Sequence, residues 1–191
     1  GDSILLLCAR RFLREGRLKG REVVATVMSN MALEVALTKE NIKLWRTSVG
    51  DKYVAHEMAQ RNIVVGGEQS GHLIFSDFAS TGDGLLTLMQ VLRVLTLEQK
   101  SLDELGYLQS FPQVLLNVRV RERPDLREVS GIADAISAAE RQLDGRGRVL
   151  IRYSGTEPLL RIMTEGPERE EIEALALNIG GVVEKTIGEK T

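Results

Sequence analysis

The chain has 191 residues, of which 43% are hydrophobic and 27% are charged, and its formal net charge is −2. This composition is that of an ordinary globular protein, long enough for one large domain or two smaller ones. The near-neutral charge argues against a nucleic-acid partner, and the apolar run at residues 4–9 is far too short to span a bilayer. We therefore expect neither nucleic acid nor a membrane among the partners of this chain.

The first half of the chain alternates helical and extended patterns. Apolar spacing predicts helices at residues 3–15, 29–39, 51–60 and 84–97. Runs of β-branched and aliphatic residues predict short strands at residues 22–27, 43–47, 63–65 and 73–75. This alternation indicates an α/β unit with a mixed, largely parallel sheet and flanking helices. The helix at 84–97 is apolar almost all round, which predicts a central position in the unit.

Capping residues support several of these boundaries. Ser29-Asn30 offers an N-cap for the second helix, Asp51 for the third and Asp83 for the fourth. Cys8 is the only cysteine and lies in an apolar run, so we expect a buried structural thiol and, with it, a reducing, cytoplasmic setting. The two histidines and the cysteine form no zinc-binding pattern.

The second half reads as a smaller, separate unit. A polar stretch and Phe111-Pro112 suggest a linker within residues 99–112, and a short helix is expected at 102–108. The patterns that follow predict a strand, a helix, two strands and a helix, at residues 114–120, 129–143, 148–152, 160–165 and from about 168 onward. We therefore predict domains at residues 1–104 and 105–191, the second an α+β domain with two helices beside its sheet.

An arginine-containing loop in the second unit has the chemistry of a phosphate site. Arg152, Ser154, Gly155, Thr156 and Arg161 follow or flank the apolar run at residues 149–151. Guanidinium groups bind phosphate through paired charged hydrogen bonds, hydroxyls donate, and a glycine lets backbone N–H groups approach an anion. An arginine-rich turn with a solvated face is the alternative interpretation.

A glycine-rich loop in the first unit, residues 66–72, carries polar groups suited to a sugar. Glu68 accepts hydrogen bonds, Ser70 donates and accepts, and His72 does either. Neighbouring sugar hydroxyls need both kinds of partner. An ordinary tight turn whose polar side chains face water explains the same residues.

Taken together, the two loops resemble those of the α-D-phosphohexomutase superfamily. Residues 67–72 are similar to its sugar-recognition loop and residues 152–158 to its phosphate-binding loop, and their order fits domains three and four of that four-domain architecture. The phosphoglucosamine mutase branch is the most similar, on the stretches 28–34, 49–54 and 80–84. The resemblance implies a TATA-box-binding-protein-like fold for the C-terminal domain.

The resemblance also implies a substrate and roles for these residues. The substrate would be a hexosamine phosphate, interconverted between its 6-phosphate and 1-phosphate forms. Glu68, Ser70 and His72 would meet the sugar, and the loop at Asp51 and Lys52 would face the same cleft. The phosphate that is not transferred would be bound by Arg152, Ser154, Gly155, Thr156 and Arg161.

The family's catalytic machinery has no counterpart in this sequence. In the family, a phosphoserine in domain one transfers the phosphoryl group and an aspartate-glycine loop in domain two binds Mg²⁺, and neither motif occurs here. The chain also begins Gly1-Asp2 rather than with methionine. We therefore expect a fragment that binds no metal, has no catalytic residue, is inactive alone and needs the missing N-terminal domains of the same protein. A mutase for another hexose phosphate and a non-catalytic sugar-phosphate-binding module remain the alternatives.

Overall fold

The computed structural model describes residues 1–189, which form two compact units with the boundary between residues 110 and 111 of the chain. The sequence placed this boundary between residues 104 and 105. It lies later because the short helix Leu102–Gly106 packs with the first unit, through Leu105 and the following Leu108.

The first unit contains a four-stranded sheet with helices on both faces. Its helices are α1 (Asp2–Arg14), α2 (Met31–Lys39), α3 (Asp51–Arg61), α4 (Gly84–Glu98) and α5 (Leu102–Gly106). Its strands are β1 (Glu22–Thr26), β2 (Lys43–Thr47), β3 (Val65–Gly67) and β4 (Leu73–Phe75). The sheet order is β2-β1-β3-β4, with β1 parallel to both β2 and β3, and β4 antiparallel to β3. This confirms the predicted mixed, largely parallel sheet.

Two apolar clusters fill the two faces of this sheet. On one face α1 and α2 pack around Leu5, Phe12 and Leu33, and Cys8 lies fully buried there, as predicted. On the other face α3 contributes Val54 and Met58, which pack on Val24. The sheet is therefore covered on both sides, as its short aliphatic strands require.

Side-chain caps explain where helices α2 and α4 begin. The side chain of Asn30 accepts a hydrogen bond from the N–H of Ala32, and that of Asp83 accepts one from Leu86, so both predicted N-caps are confirmed. Asp51 is the first residue of α3 instead of its cap, and Gly50 occupies the cap position with φ 128°. The third strand begins at Val65 instead of Ile63, because the Ile63 N–H is used to end α3 at the Met58 carbonyl.

Helix α4 does not have the central position that its apolar sequence suggested. Gln90, Val91 and Val94 are buried, with the two valines packed against Leu7 of α1, but the opposite side of the helix faces solvent. The prediction was wrong because the helix packs on α1, outside the sheet, and so has one neighbour layer instead of two.

The second unit has the predicted order of strand, helix, two strands and helix. These are β5 (Gln113–Arg119), α6 (Ser130–Leu143), β6 (Arg148–Tyr153), β7 (Leu159–Glu165) and α7 (Arg169–Ile187). The sheet is antiparallel with the order β5-β7-β6. Both helices pack on one face, around Ile132, Leu160, Ile162, Ile172 and Ile179. None of the helices within residues 1–189 is long and apolar enough to cross a membrane.

Candidate substrate-recognition site

The glycine-rich loop connects β3 to β4 in a tight hairpin. A Cβ on Gly66 would lie 2.7 Å from the Met58 sulfur and 2.9 Å from the Val24 carbonyl oxygen, and one on Gly67 would lie 2.8 Å from the His72 carbonyl oxygen. The turn is closed by the Glu68 N–H, which donates to the His72 carbonyl at 2.9 Å. Glycine at positions 66 and 67 is thus required by close packing of the backbone.

The Glu68 carboxylate joins this loop to the start of α3. Its Oε1 accepts a hydrogen bond from the Gly50 N–H at 3.0 Å, and its Oε2 lies 3.5 Å from Nδ1 of His72. The Glu68 side chain is only 11% exposed, whereas that of His72 is 71% exposed. Glu68 is therefore held in place by the backbone of the neighbouring loop, and His72 is free to reach solvent.

The predicted residues of the first unit lie at one edge of the sheet. Asp51 and Lys52 are exposed at the start of α3. They directly follow Gly50, whose N–H donates a hydrogen bond to the Glu68 carboxylate. Ser70 is exposed in the same turn as Glu68. Since the loops after β2 and β3 leave the carboxyl ends of parallel strands, they meet at the edge where ligands bind in open α/β sheets.

A third loop reaches this edge. A Cβ on Gly82 would lie 3.6 Å from Cβ of His72 and 3.5 Å from the Leu73 carbonyl oxygen, so residues 80–84 lie beside the glycine-rich turn. Asp83 in this loop caps α4, as its sequence predicted. The structure thus brings the loops at 50–52, 67–72 and 80–84 together.

The arginine loop of the second unit is the hairpin turn between β6 and β7. The Ser154 N–H donates to the Leu159 carbonyl at 2.8 Å, and Ser154 is only 2% exposed. Gly155 and Thr156 are exposed. A Cβ on Gly155 would contact nothing within 4 Å and its φ is not positive, so the fold itself does not require glycine there.

Arg152 and Arg161 occupy directly paired positions on β6 and β7. Like charges in such a pair repel each other. Arg161 is partly balanced by Glu157, whose Oε2 lies 3.1 Å from its Nη2, and its buried Nε has no hydrogen-bond partner among the described residues. Two guanidinium groups on one face beside an exposed turn form a local positive site in a chain of negative net charge.

A third arginine, Arg123, which was not predicted from the sequence, contacts the same turn. Nη2 of Arg123 donates to the Glu157 carbonyl at 2.8 Å. Next to it the Tyr153 hydroxyl donates to the Pro124 carbonyl at 2.8 Å. Burial, and next the negative charge of Asp125, raise the pKa of Tyr153, which favours the neutral donor. The sequence signal for Arg123 is the charged run at residues 121–123, which is equally typical of a solvated surface.

Within residues 1–189 no three His, Cys, Asp or Glu side chains are grouped so that they could hold a metal ion. His56, the second histidine, lies exposed on α3. The two loops described above are instead suited to hydroxyl and anion binding.

Comparison with family profiles gives a match for each unit. The profile "Phosphoglucomutase/phosphomannomutase, alpha/beta/alpha domain III" matches residues 1–110. The profile "Phosphoglucomutase/phosphomannomutase, C-terminal domain" matches residues 115–180.

Curated relatives match along nearly the whole chain. The phosphoglucosamine mutase of Geobacter sp. (strain M21) is 49% identical over 98% of this chain and 42% of its own length. That of Nitratidesulfovibrio vulgaris (strain DP4) is 49% identical over 97% of this chain and 41% of its own length. The chain thus spans about 42% of the length of such relatives.

Solved structures share the fold. An Aspergillus fumigatus N-acetylphosphoglucosamine mutase, in complex with GlcNAc-6P and magnesium, superposes with a TM-score of 0.74 at 23% identity, over 96% of this chain and 46% of that one. A phosphoglucomutase/phosphomannomutase family protein from Burkholderia thailandensis superposes with a TM-score of 0.73 at 18% identity, over 98% of this chain and 42% of that one.

Proposed function

The chain belongs to the phosphoglucomutase/phosphomannomutase family and contains its domain III and its C-terminal domain, and we propose that it is the substrate-recognition half of a phosphoglucosamine mutase. The full-length protein that contains the chain is called the parent below. The observation that carries the proposal is the 49% identity to phosphoglucosamine mutases over 98% of the chain. The parent would interconvert glucosamine 6-phosphate and glucosamine 1-phosphate.

The second unit would bind the phosphate that is not being transferred. Arg152 and Arg161 are paired across β6 and β7, so a phosphate dianion placed between them would relieve their repulsion and accept charged hydrogen bonds. Thr156 and the backbone at Gly155 are exposed beside them, and nothing within the fold requires Gly155 to be glycine. Ser154 is buried at the base of the turn and would contribute only to an anion seated directly against it.

The first unit would bind the sugar. Glu68 is held by the Gly50 N–H, so its carboxylate is positioned before a hydroxyl arrives, which lowers the entropy cost of binding. Ser70 and His72 are exposed on the same turn, and the loop at Asp51 and Lys52 begins one residue after Gly50. We propose these residues as hydrogen-bonding partners of the sugar, with Glu68 as the main acceptor.

Phosphoryl transfer itself would belong to the rest of the parent. Such chemistry relies on positioning and on stabilisation of charge, and the two loops provide positioning. A magnesium ion would supply charge neutralisation at the transferring phosphate. Its ligands would lie in another part of the parent, since no three acidic, histidine or cysteine side chains group together within residues 1–189. We therefore propose that the chain alone is inactive and acts with the parent's N-terminal domains. The cytoplasmic location stays a prediction.

The test is an assay of the parent with three sugar phosphates, those of glucosamine, mannose and glucose. We expect the highest kcat/KM with glucosamine 6-phosphate and no turnover by the 191-residue chain alone. A preference for mannose or glucose phosphate would favour a mutase for another hexose, as the broader family name allows. Binding without turnover by the parent would favour a sugar-phosphate-binding module, and turnover by the chain alone would contradict the proposed division of labour.

A further inference from the structure

Helix α4 presents a continuous apolar surface to solvent. The surface, called the α4 stripe below, consists of Leu85, Leu88, Met89 and Leu92, which are 71%, 50%, 58% and 46% exposed. Their spacing places them on one side of the helix. No charged residue interrupts the stripe, and Arg93 at its border is turned aside to pair with Glu15.

The α4 stripe is a fixed surface. The other side of α4 is anchored to α1, since Val91 and Val94 pack on Leu7 and the Glu98 carboxylate pairs with Arg14 at 2.7 Å. The helix also begins at a formed N-cap, Asp83, and extends over fifteen residues. Large contiguous apolar patches are uncommon on monomeric proteins, and surfaces that contact another polypeptide are among the sites that they mark.

The part of the parent that lies outside this chain is the partner that the observations favour. Residues 1–110 match domain III of the family, so family members carry domains ahead of it, and the chain spans only 42% of the length of a curated relative. A domain joined covalently to the first unit is present at an effective concentration in the millimolar range, which a separate copy of the protein does not reach. Helix α1, the first element of the unit, is also the helix on which α4 packs.

We propose that the α4 stripe is the docking surface for the domain that precedes domain III in the parent. Its apolar side chains would be covered by an apolar face of that domain and would fix the first unit relative to it. This surface would be needed whichever hexose phosphate the parent uses, so a failed substrate assignment and a failed docking surface give different results.

Thiol labelling tests the proposal in the 191-residue chain and in the parent. Leu88→Cys or Met89→Cys places a reactive thiol on the stripe, and Gln60→Cys, at an exposed position of α3, is the matched control. The native Cys8 is silent, because burial raises its pKa to about 12. The fluorescence of Trp45, the only tryptophan, reports that each variant of the chain alone is folded.

In the chain alone we expect the stripe thiols to react at the rate of an exposed cysteine. In the parent they should react at least ~10-fold more slowly, at every protein concentration, while the thiol of Gln60→Cys reacts at the same rate in both proteins. Equal rates for the stripe thiols in chain and parent would overturn the proposal. Protection already present in the chain alone, or protection that grows with concentration, would assign the stripe to the second unit or to a second copy and would also overturn it. So would equal slowing of the control.

Discussion

Arg152 and Arg161 are paired on the adjacent strands β6 and β7, and this pairing is the most specific residue-level feature of the candidate phosphate site. The sequence revealed both arginines because they flank one short turn. It did not reveal Arg123, whose contact with the Glu157 carbonyl joins residues far apart in the chain. The proximity of residues that flank one turn was therefore predictable from sequence, whereas a contact between distant segments was not.

Arg123 gives a first prediction. Arg123→Ala in the parent removes a charge and a hydrogen bond to the turn, so phosphate affinity should fall by about 1 kcal/mol, or roughly five-fold. Calorimetry with inorganic phosphate measures this change. The control is Arg141→Ala, which removes an equal charge at an exposed position of α6. An unchanged affinity in the Arg123 variant, or an equal loss in the control, would show that Arg123 has no part in the site.

Cys8 gives a second prediction, on pH dependence. Burial raises its pKa from 9.0 to about 12. Between these values the folded state holds a proton that the unfolded state has lost, so stability should fall as pH rises, by up to about 1.4 kcal/mol per pH unit. Denaturation of wild type and Cys8→Ala at pH 8, 9 and 10 would show this as a stability difference that shrinks with pH. A constant difference would mean that the thiol ionises normally.

Single elements were predicted well where the signal was local. The N-caps of α2 and α4 depend on one side chain and one nearby N–H, and both were found from sequence. The position of α4 depends on which elements pack against it, and an apolar sequence does not show whether one or both sides of the helix are covered by other elements. The same holds for β3, because Met58 and Val24, which require glycine at position 66, lie on other elements.

The Asn30 cap gives a third prediction. Asn30→Ala removes the acceptor for the Ala32 N–H, so the free energy of unfolding should fall by about 1 kcal/mol. Asn30→Ser keeps an acceptor and should lose less. Urea denaturation followed by Trp45 fluorescence compares the three proteins in the unit that contains the cap. Equal losses in the Ala and Ser variants would show that the cap is not what Asn30 contributes.

At the scale of the whole molecule, the chain consists of two units that each carry one candidate recognition loop. The order of the elements along the chain and the organisation into two units were predicted from sequence patterns, because alternation and periodicity report on the elements of each unit. The order of the strands within each sheet was not predicted. What the patterns could not give is how Glu68 is held, since its partner Gly50 precedes a different helix. The proposed division of labour, sugar on the first unit and phosphate on the second, depends on both loops.

Calorimetric titration of the parent with glucosamine 6-phosphate and with inorganic phosphate tests that division most directly. Arg152→Ala should weaken the binding of both ligands by roughly 2–3 kcal/mol, or about 30- to 150-fold. The control Arg146→Ala makes an equal charge change in an exposed turn of the same unit and should leave both affinities unchanged. Glu68→Gln keeps an oxygen for the Gly50 N–H and should weaken only the sugar phosphate. Unchanged affinity in Arg152→Ala, or an equal loss of both ligands in Glu68→Gln, would contradict the account.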